Sequence, residues 1–193
     1  MQLIIASNNA HKVGEIKKIL SSEFEQILSL KEAGINHETV EDGRTFMENA
    51  LKKAREIAEL SGSAALADDS GICVNALGGE PGIYSARFAG EHGDDEANNR
   101  LLLERLSDKD DRSAHYTAAV ALVYPGGREV IAEGYMHGKI IHAPRGTGGF
   151  GYDPLFVAEG EERTVAEMSA EEKNAISHRA NALRLLLDKL RTN

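Results

Sequence analysis

The chain has 193 residues and carries 22 Lys and Arg against 31 Asp and Glu, a formal net charge of −9. That surplus of acid speaks against a general nucleic-acid binder, which neutralises phosphates with Lys and Arg. Hydrophobic residues at 41% and charged residues at 27% are ordinary for a soluble globular protein, and no apolar run reaches the length of a membrane span. A single domain over residues 1–193 is expected, with length enough for one sizeable core. The opening Met1-Gln2-Leu3-Ile4-Ile5-Ala6 shows no basic leader, so a cytoplasmic protein is expected. Cys73, the single cysteine, lies in Ile72-Cys73-Val74 and reads as a buried thiol.

Leu3 to Ser7 reads as a first strand. Asn8-Asn9 then caps a helix whose apolar positions Val13, Ile16, Ile19 and Leu20 recur at helical spacing. The turn Ser7-Asn8-Asn9-Ala10-His11-Lys12 puts amides, a hydroxyl and a cation at a helix N-terminus, where free N–H groups favour an anion. Plain capping beside a solvated lysine is the alternative. Residues 27–44 have little pattern, although Glu38, Glu41 and Asp42 concentrate acid there and allow metal ligation. Thr45-Phe46-Met47-Glu48 matches a capping box, and Phe46, Ala50, Ala54, Ile57 and Ala58 form an apolar stripe ending near Ser61-Gly62. Lys52, Lys53 and Arg55 fall on or beside the polar face of that helix.

Ala64-Ala65-Leu66-Ala67 suits a buried strand, and it runs into Asp68-Asp69-Ser70-Gly71. Acids at a strand's carboxyl end sit where open α/β sheets bind ligands. Because strand side chains alternate, Asp68 and Asp69 share a pocket only if the strand has already ended. The bland reading is a turn, since Asp, Ser and Gly are turn residues. Beyond Gly78-Gly79-Glu80-Pro81-Gly82, a loop, a helix is expected from near Asp94 carrying Leu101, Leu102, Leu103 and Leu106 into the core. Tyr116–Tyr124 and Glu129–Tyr135 read as strands joined by Pro125-Gly126-Gly127, with a third strand over Gly138–His142.

Gly146, Gly148 and Gly151 form a formal GxGxxG, but Asp153-Pro154 disfavours the helix that a dinucleotide fingerprint must open. The glycines instead let backbone approach a ligand or another loop, with Phe150 and Tyr152 either stacking faces or core aromatics. Ser169-Ala170-Glu171-Glu172 is a second capping box, followed by the stripe Ile176, Ala180, Leu183, Leu187 and Leu190. At ~100° per residue, Lys173 and Arg179 would diverge by about 120° on an unbroken helix, so their convergence on one ligand requires a break, for which Ser177 is a ready cap.

Six ordered blocks together resemble the inosine triphosphate pyrophosphatase family. They are Ser7–Lys12; Phe46-Met47-Glu48-Asn49-Ala50 with Lys53-Ala54; Ala67-Asp68-Asp69-Ser70-Gly71; Leu77–Arg87; Gly146–Pro154; and Lys173 with Ser177-His178-Arg179. The resemblance implies an elongated α/β fold, a mixed sheet flanked by helices in two lobes around a central substrate cleft, and a homodimer. It implies Mg²⁺-dependent hydrolysis of ITP, dITP or XTP to the monophosphate and pyrophosphate. By position, Ser7, Asn8, Asn9, Ala10, His11 and Lys12 hold phosphates, Lys53 and Lys173 add charge, and Ser70 joins the substrate site. Asp69 is the implied general base and metal ligand, with Glu41 and Asp68 as further metal ligands. Phe150, Gly151, Tyr152, Asp153, His178 and Arg179 would hold the base.

The residue chemistry agrees, since Mg²⁺ takes carboxylate, phosphate and water oxygens. Arg179 offers only donors, which suits an oxygen at C6 of a purine and not the amine of adenine. A pyrophosphatase of pyrimidine or modified nucleotides, and a nucleotide sensor without chemistry, are the alternatives. Nucleic acid and membrane are not expected partners.

Overall fold

The computed structural model describes residues 2–192. Its α/β chain forms one six-stranded mixed sheet in the order β2-β1-β3-β4-β5-β6. The strands are β1 (Gln2–Ile5), β2 (Gln26–Ser29), β3 (Ala64–Val74), β4 (Ser113–Val123), β5 (Glu129–Ile140) and β6 (Phe156–Ala158). The helices are α1 (Ala10–Leu20), α2 (Phe46–Ser61), α3 (Asp95–Arg105), α4 (Ala170–Ile176) and α5 (His178–Thr192). Pairing of β1 with β2 and β3 is parallel, and that of β5 with β6 antiparallel. No helix among the described residues is long and apolar enough to cross a membrane.

Two compact units divide the chain: one runs to Asp69 and adds Ala118–Gly134 and the segment from Arg179, the other holds Ser70–Thr117 and Tyr135–His178. In the first unit the period-2 alternation of β1, β3 and β4 builds two apolar faces. Leu3, Ile5, Ala64, Leu66, Ala118, Val120 and Leu122 pack on Ile16 and Leu20 of α1 and on Ala182, Leu183 and Leu186 of α5. The opposite face, with Ile4, Ala65, Ala67, Ala119 and Ala121, meets Ala50, Ala54, Ile57 and Ala58 of α2. Small residues on both sides of that second contact let helix and sheet approach closely. In the second unit, Ile72, Val74, Ala114, Tyr116, Met136 and Ile140 pack with Leu102 of α3, with Leu106 just after it and with Leu155 and Phe156.

The helix caps form, although the box expected at Thr45 is only half made, since the Glu48 side chain accepts from Arg44 N instead of Thr45 N. Asn9 accepts from the N–H groups of His11 and Lys12, Thr45 accepts from Glu48, and Gly62 ends α2 at φ 63°. Asp94 caps α3 and the reciprocal Ser169–Glu172 box opens α4. Two expectations are corrected. Asp68-Asp69-Ser70-Gly71 is not a turn at a strand end, because β3 continues to Val74. Gly138–His142 is not a separate strand: β5 runs unbroken to Ile140, and Arg112 and Ile140 close a ladder that starts at Tyr124 and Arg128. The weakly patterned stretch after α1 contains the short, half-buried edge strand β2.

Candidate active site

Since β3 does not end at Asp68, its alternation carries through both acids. Asp68 extends the face of Ala64 and Leu66 toward α1 and α5, while Asp69 extends the face of Ala65 and Ala67 toward α2. The two neighbours therefore enter separate charge clusters, both within the first unit.

The Asp68 side chain is fully buried. Its Oδ1 lies 2.8 Å from Lys12 Nζ and 3.2 Å from Arg179 Nη2, and its Oδ2 accepts from Arg179 Nε at 3.2 Å. Arg179, itself 1% exposed, also donates through Nη1 to Glu15 of α1. Burial alone would push the Asp68 carboxyl up, but Arg179 and Lys12 outweigh it and hold it well below the usual carboxylate range. Burial lowers and the two carboxylates raise the Arg179 pKa, with a net rise. Lys12 is thus neither a solvated cation nor exposed at the helix tip; it leans inward from the first turn of α1.

Around Asp69 the partners come from α2 and the loop before it. Asn49 Nδ2 donates to Asp69 Oδ2 at 3.0 Å, and Lys53 Nζ lies 3.5 Å from Asp69 Oδ1. The same Nζ donates to Glu41 Oε1 at 2.6 Å and to the Asp68 carbonyl at 2.9 Å. Burial pushes the Asp69 carboxyl up, against the pull of Lys53 and Lys12. Burial would lower the Lys53 ammonium, but Asp69 and Glu41 raise it on balance. Asn49 also fixes the loop, because its Oδ1 accepts from Gly43 N at 2.8 Å. A Cβ at Gly43 would stand 2.5 Å from that oxygen, so only glycine lets the chain bring Glu41 to Lys53 along this path.

The remaining first-unit candidates line the start of α1. Ser7 Oγ accepts from Asn9 N at 3.2 Å, Asn8 Nδ2 reaches the His37 carbonyl at 3.3 Å, and Asn8 to His11 are exposed at the helix N-terminus.

In the second unit, Asp153 is buried and central. It accepts from Lys173 Nζ at 2.8 Å, from Phe150 N at 3.1 Å and from Tyr116 OH at 3.3 Å. Gly149 sits at φ 71°, and a Cβ there would fall 2.1 Å from Asp153 Oδ2. Lys173 Nζ also lies 4.5 Å from the centre of the Phe150 ring, a cation–π contact. His178, 5% exposed, stacks on Tyr116 at 4.7 Å with 11° between planes. Tyr152 is a core aromatic whose hydroxyl donates to the Ser85 carbonyl at 2.7 Å, while Phe150 is half-buried. Ser70, half-buried, lies within β3.

The helix break at Ser177 is present: the residue is extended at φ −65°, ψ 150°, between α4 and α5. It sends Lys173 to Asp153 and Arg179 to Asp68, so the two cations serve different carboxylates. Among the described residues no three His, Cys, Asp or Glu side chains group as a metal site. Glu41 and Asp69 meet at Lys53, and Asp68 turns away from them for the reason of strand alternation. Glu15 and Asn49 were not among the sequence candidates. Asn49 carried a usable signal: it is one turn before Lys53, beside the buried Ala50.

A Ham1 family profile matches residues 3–189. A protein of Streptomyces coelicolor named dITP/XTP pyrophosphatase is 49% identical over 204 aligned positions, covering 98% of this chain and 97% of its own. One of Clostridium perfringens with the same name is 50% identical, with 98% and 97% covered. Among solved structures, the Ham1 protein of Staphylococcus aureus superposes with a TM-score of 0.89 at 38% identity, over 100% of this chain and 99% of that one. A Mycobacterium abscessus structure described as a nucleoside-triphosphatase and dITP/XTP pyrophosphatase gives 0.78 at 47% identity, over 97% and 99%. Matched along nearly its whole length in sequence and in fold, this chain belongs to the Ham1 family.

Proposed function

We propose that the protein hydrolyses dITP, XTP and ITP between the α- and β-phosphates, giving the monophosphate and pyrophosphate and so clearing deaminated purines from the nucleotide pool. Relatives near half identity bear the name dITP/XTP pyrophosphatase, and the observation that carries the mechanism is the Glu41–Lys53–Asp69 cluster, two carboxylates brought to one ammonium. A hard divalent cation such as Mg²⁺ takes one or two carboxylates together with phosphate and water oxygens. Asp69 and Glu41 fit that donor set. Asp68, enclosed by Lys12 and Arg179, fits the role of an anchor for those cations better. When bound, the ion supplies charge neutralisation and a more acidic water.

The chain's own residues do the rest. Asp69, with Oδ2 held by Asn49, takes the proton of the attacking water on Oδ1. Its raised pKa brings it nearer to the operating pH that suits a general base. Lys53 and Lys12, with the exposed residues Asn8 to His11 at the start of α1, receive the negative phosphates. The Phe150–Asp153 segment, with His178, receives the base, and Lys173 orders that segment through Asp153 and Phe150. Backbone N–H groups of that segment present donors, which match an oxygen at C6 and oppose an amine, while Arg179, buried against Asp68 and Glu15, holds their charge network. A homodimer in the cytoplasm is the proposed assembly and setting.

The test is pyrophosphate release from dITP, XTP, ATP, GTP and dTTP, with Mg²⁺ or EDTA, on the parent and on Asp69→Asn. Release confined to dITP and XTP, dependent on Mg²⁺ and lost in the variant, is the expected result. Orthophosphate release would place the cleaved bond elsewhere. Tight dITP binding without products would make the chain a sensor.

A further inference from the structure

Gly151, in the segment proposed to receive the base, is held from both sides by helix α3. Its N–H donates to Asp95 Oδ2 at 2.6 Å, and its carbonyl accepts from Asn99 Nδ2 at 3.0 Å. Asp95 and Asn99 are one turn apart, so a single face of α3 presents an acceptor and a donor at the spacing of one residue's two backbone polar groups. Gly151 stands at φ 63°, a left-handed conformation between Phe150 and Tyr152, in a turn outside the strands and helices. The helix that grips it is rigidly seated. Asp94 caps it, Leu102 and Leu106 are fully buried, and Asn98 accepts from Ala89 N at 2.8 Å and donates to the Ala86 carbonyl at 3.3 Å.

We infer that Asp95 and Asn99 are positioning residues for base recognition: by fixing both backbone groups of Gly151 they set the direction of the Phe150 ring and of the peptide groups on either side of it. This rests on the reading that Phe150–Asp153 receives the base. Neither residue touches the phosphate-side groups Lys12, Lys53 or Asp69 through any bond described above, so their removal affects recognition of the ring system and leaves polyphosphate recognition alone. The Asp95 bond, charge-assisted, is the stronger of the two, and Asn99 adds direction to the carbonyl.

The experiment uses Asp95→Ala, Asp95→Asn, Asn99→Ala and Phe150→Ala in the full chain. Amide hydrogen exchange at Gly151, KM and kcat for dITP, and the inhibition constant of tripolyphosphate, which has no base, are measured. For Asp95→Ala, loss of a hydrogen bond of this kind predicts exchange at Gly151 faster by about 10-fold and KM for dITP higher by about 10-fold, with kcat changed by less than about 3-fold. Tripolyphosphate inhibition stays at the parent value. Asn99→Ala gives a smaller rise in KM, and Asp95→Asn, which keeps an acceptor oxygen, recovers part of the loss. If Phe150→Ala raises KM while Asp95→Ala and Asn99→Ala do not, the inference is overturned and the base reading survives. A parallel weakening of tripolyphosphate would mean a general structural effect and would also overturn it. If Phe150→Ala leaves KM unchanged, the base reading falls and takes the inference with it, whatever the exchange rate shows.

Discussion

Asp68 and Asp69 are joined by one peptide bond and have opposite electrostatic fates. The first faces two cations and is held far below the ordinary carboxylate range; the second faces one ammonium, an amide and a second carboxylate, and burial pushes it up. Strand alternation is the whole cause of the separation. What it teaches is that one acid can hold a buried charge network together while its neighbour stays available for protons. A protein that placed both on one face would have had to compromise, because close like charges disfavour joint ionisation.

The sharpest way to break the pair is to neutralise each in turn. Asp68→Asn leaves Arg179 and Lys12 facing an amide, and breaking a buried ion pair from one side costs about 3–5 kcal/mol; urea unfolding reads the loss. Asp69→Asn is expected to lower kcat by about 10²–10⁴, the ordinary worth of a general base. Its stability should stay within about 1 kcal/mol of the parent or exceed it, since burial already disfavours the charged form. Equal destabilisation by the two variants would mean that both acids are structural.

Acid titration separates them without mutation. Asp68 has a depressed folded pKa, so its stabilising contribution is complete above the unfolded value of about 3.9 and is lost only as pH falls through the much lower folded value. Asp69 has a raised folded pKa: the native state binds its proton more tightly than the unfolded chain does, and falling pH through that pKa relieves a cost. Activity should therefore decline on the acid side, above pH ~3.9, while circular dichroism still reports folded protein. Asn49 tunes the position of that decline. Asn49→Ala removes a bond to the carboxylate and shifts the acid limb of kcat/KM to higher pH; an unmoved limb would assign the limb to another group.

How far this arrangement can be read from the residues follows from the range of the forces involved. Local signals were legible: the Asn9, Thr45 and Ser169 caps, the apolar stripes, and the break at Ser177, which was expected so that Lys173 and Arg179 could converge on one ligand, although in the structure the two cations serve different carboxylates. The six blocks likewise contain Lys12, Asn49, Lys53, Asp68, Asp69 and Arg179 of the two clusters, but neither Glu15 nor Glu41. The continuation of β3 through Asp68-Asp69-Ser70-Gly71 was not legible, because those residues favour turns locally and the strand is imposed by tertiary pairing. Partner choice was equally hidden. Nothing near Lys12 in sequence announces the distant Asp68, and Glu15 looks like any polar residue of an amphipathic helix until Arg179 arrives from the last helix.

The mildest perturbation tests whether the second unit stands apart from the Asp68 and Asp69 clusters. Lys173 reaches Asp153 because α4 begins at Ser169, whose hydroxyl accepts from Glu172 N at 3.2 Å while Glu172 Oε2 accepts from Ser169 N at 2.8 Å. Ser169→Ala removes half of this reciprocal cap and should cost about 1 kcal/mol. The acid limb set by Asp69 should not move, since no bond of Ser169 or Glu172 described here touches that carboxylate. KM for dITP should rise by less than about 3-fold, because the buried Lys173–Asp153 pair still favours the helical position even when the cap is weakened. A shift of the acid limb in this variant would show that ordering of α4 is felt by Asp69, and the independence argued from strand alternation would then hold between the two carboxylates but not between Asp69 and α4.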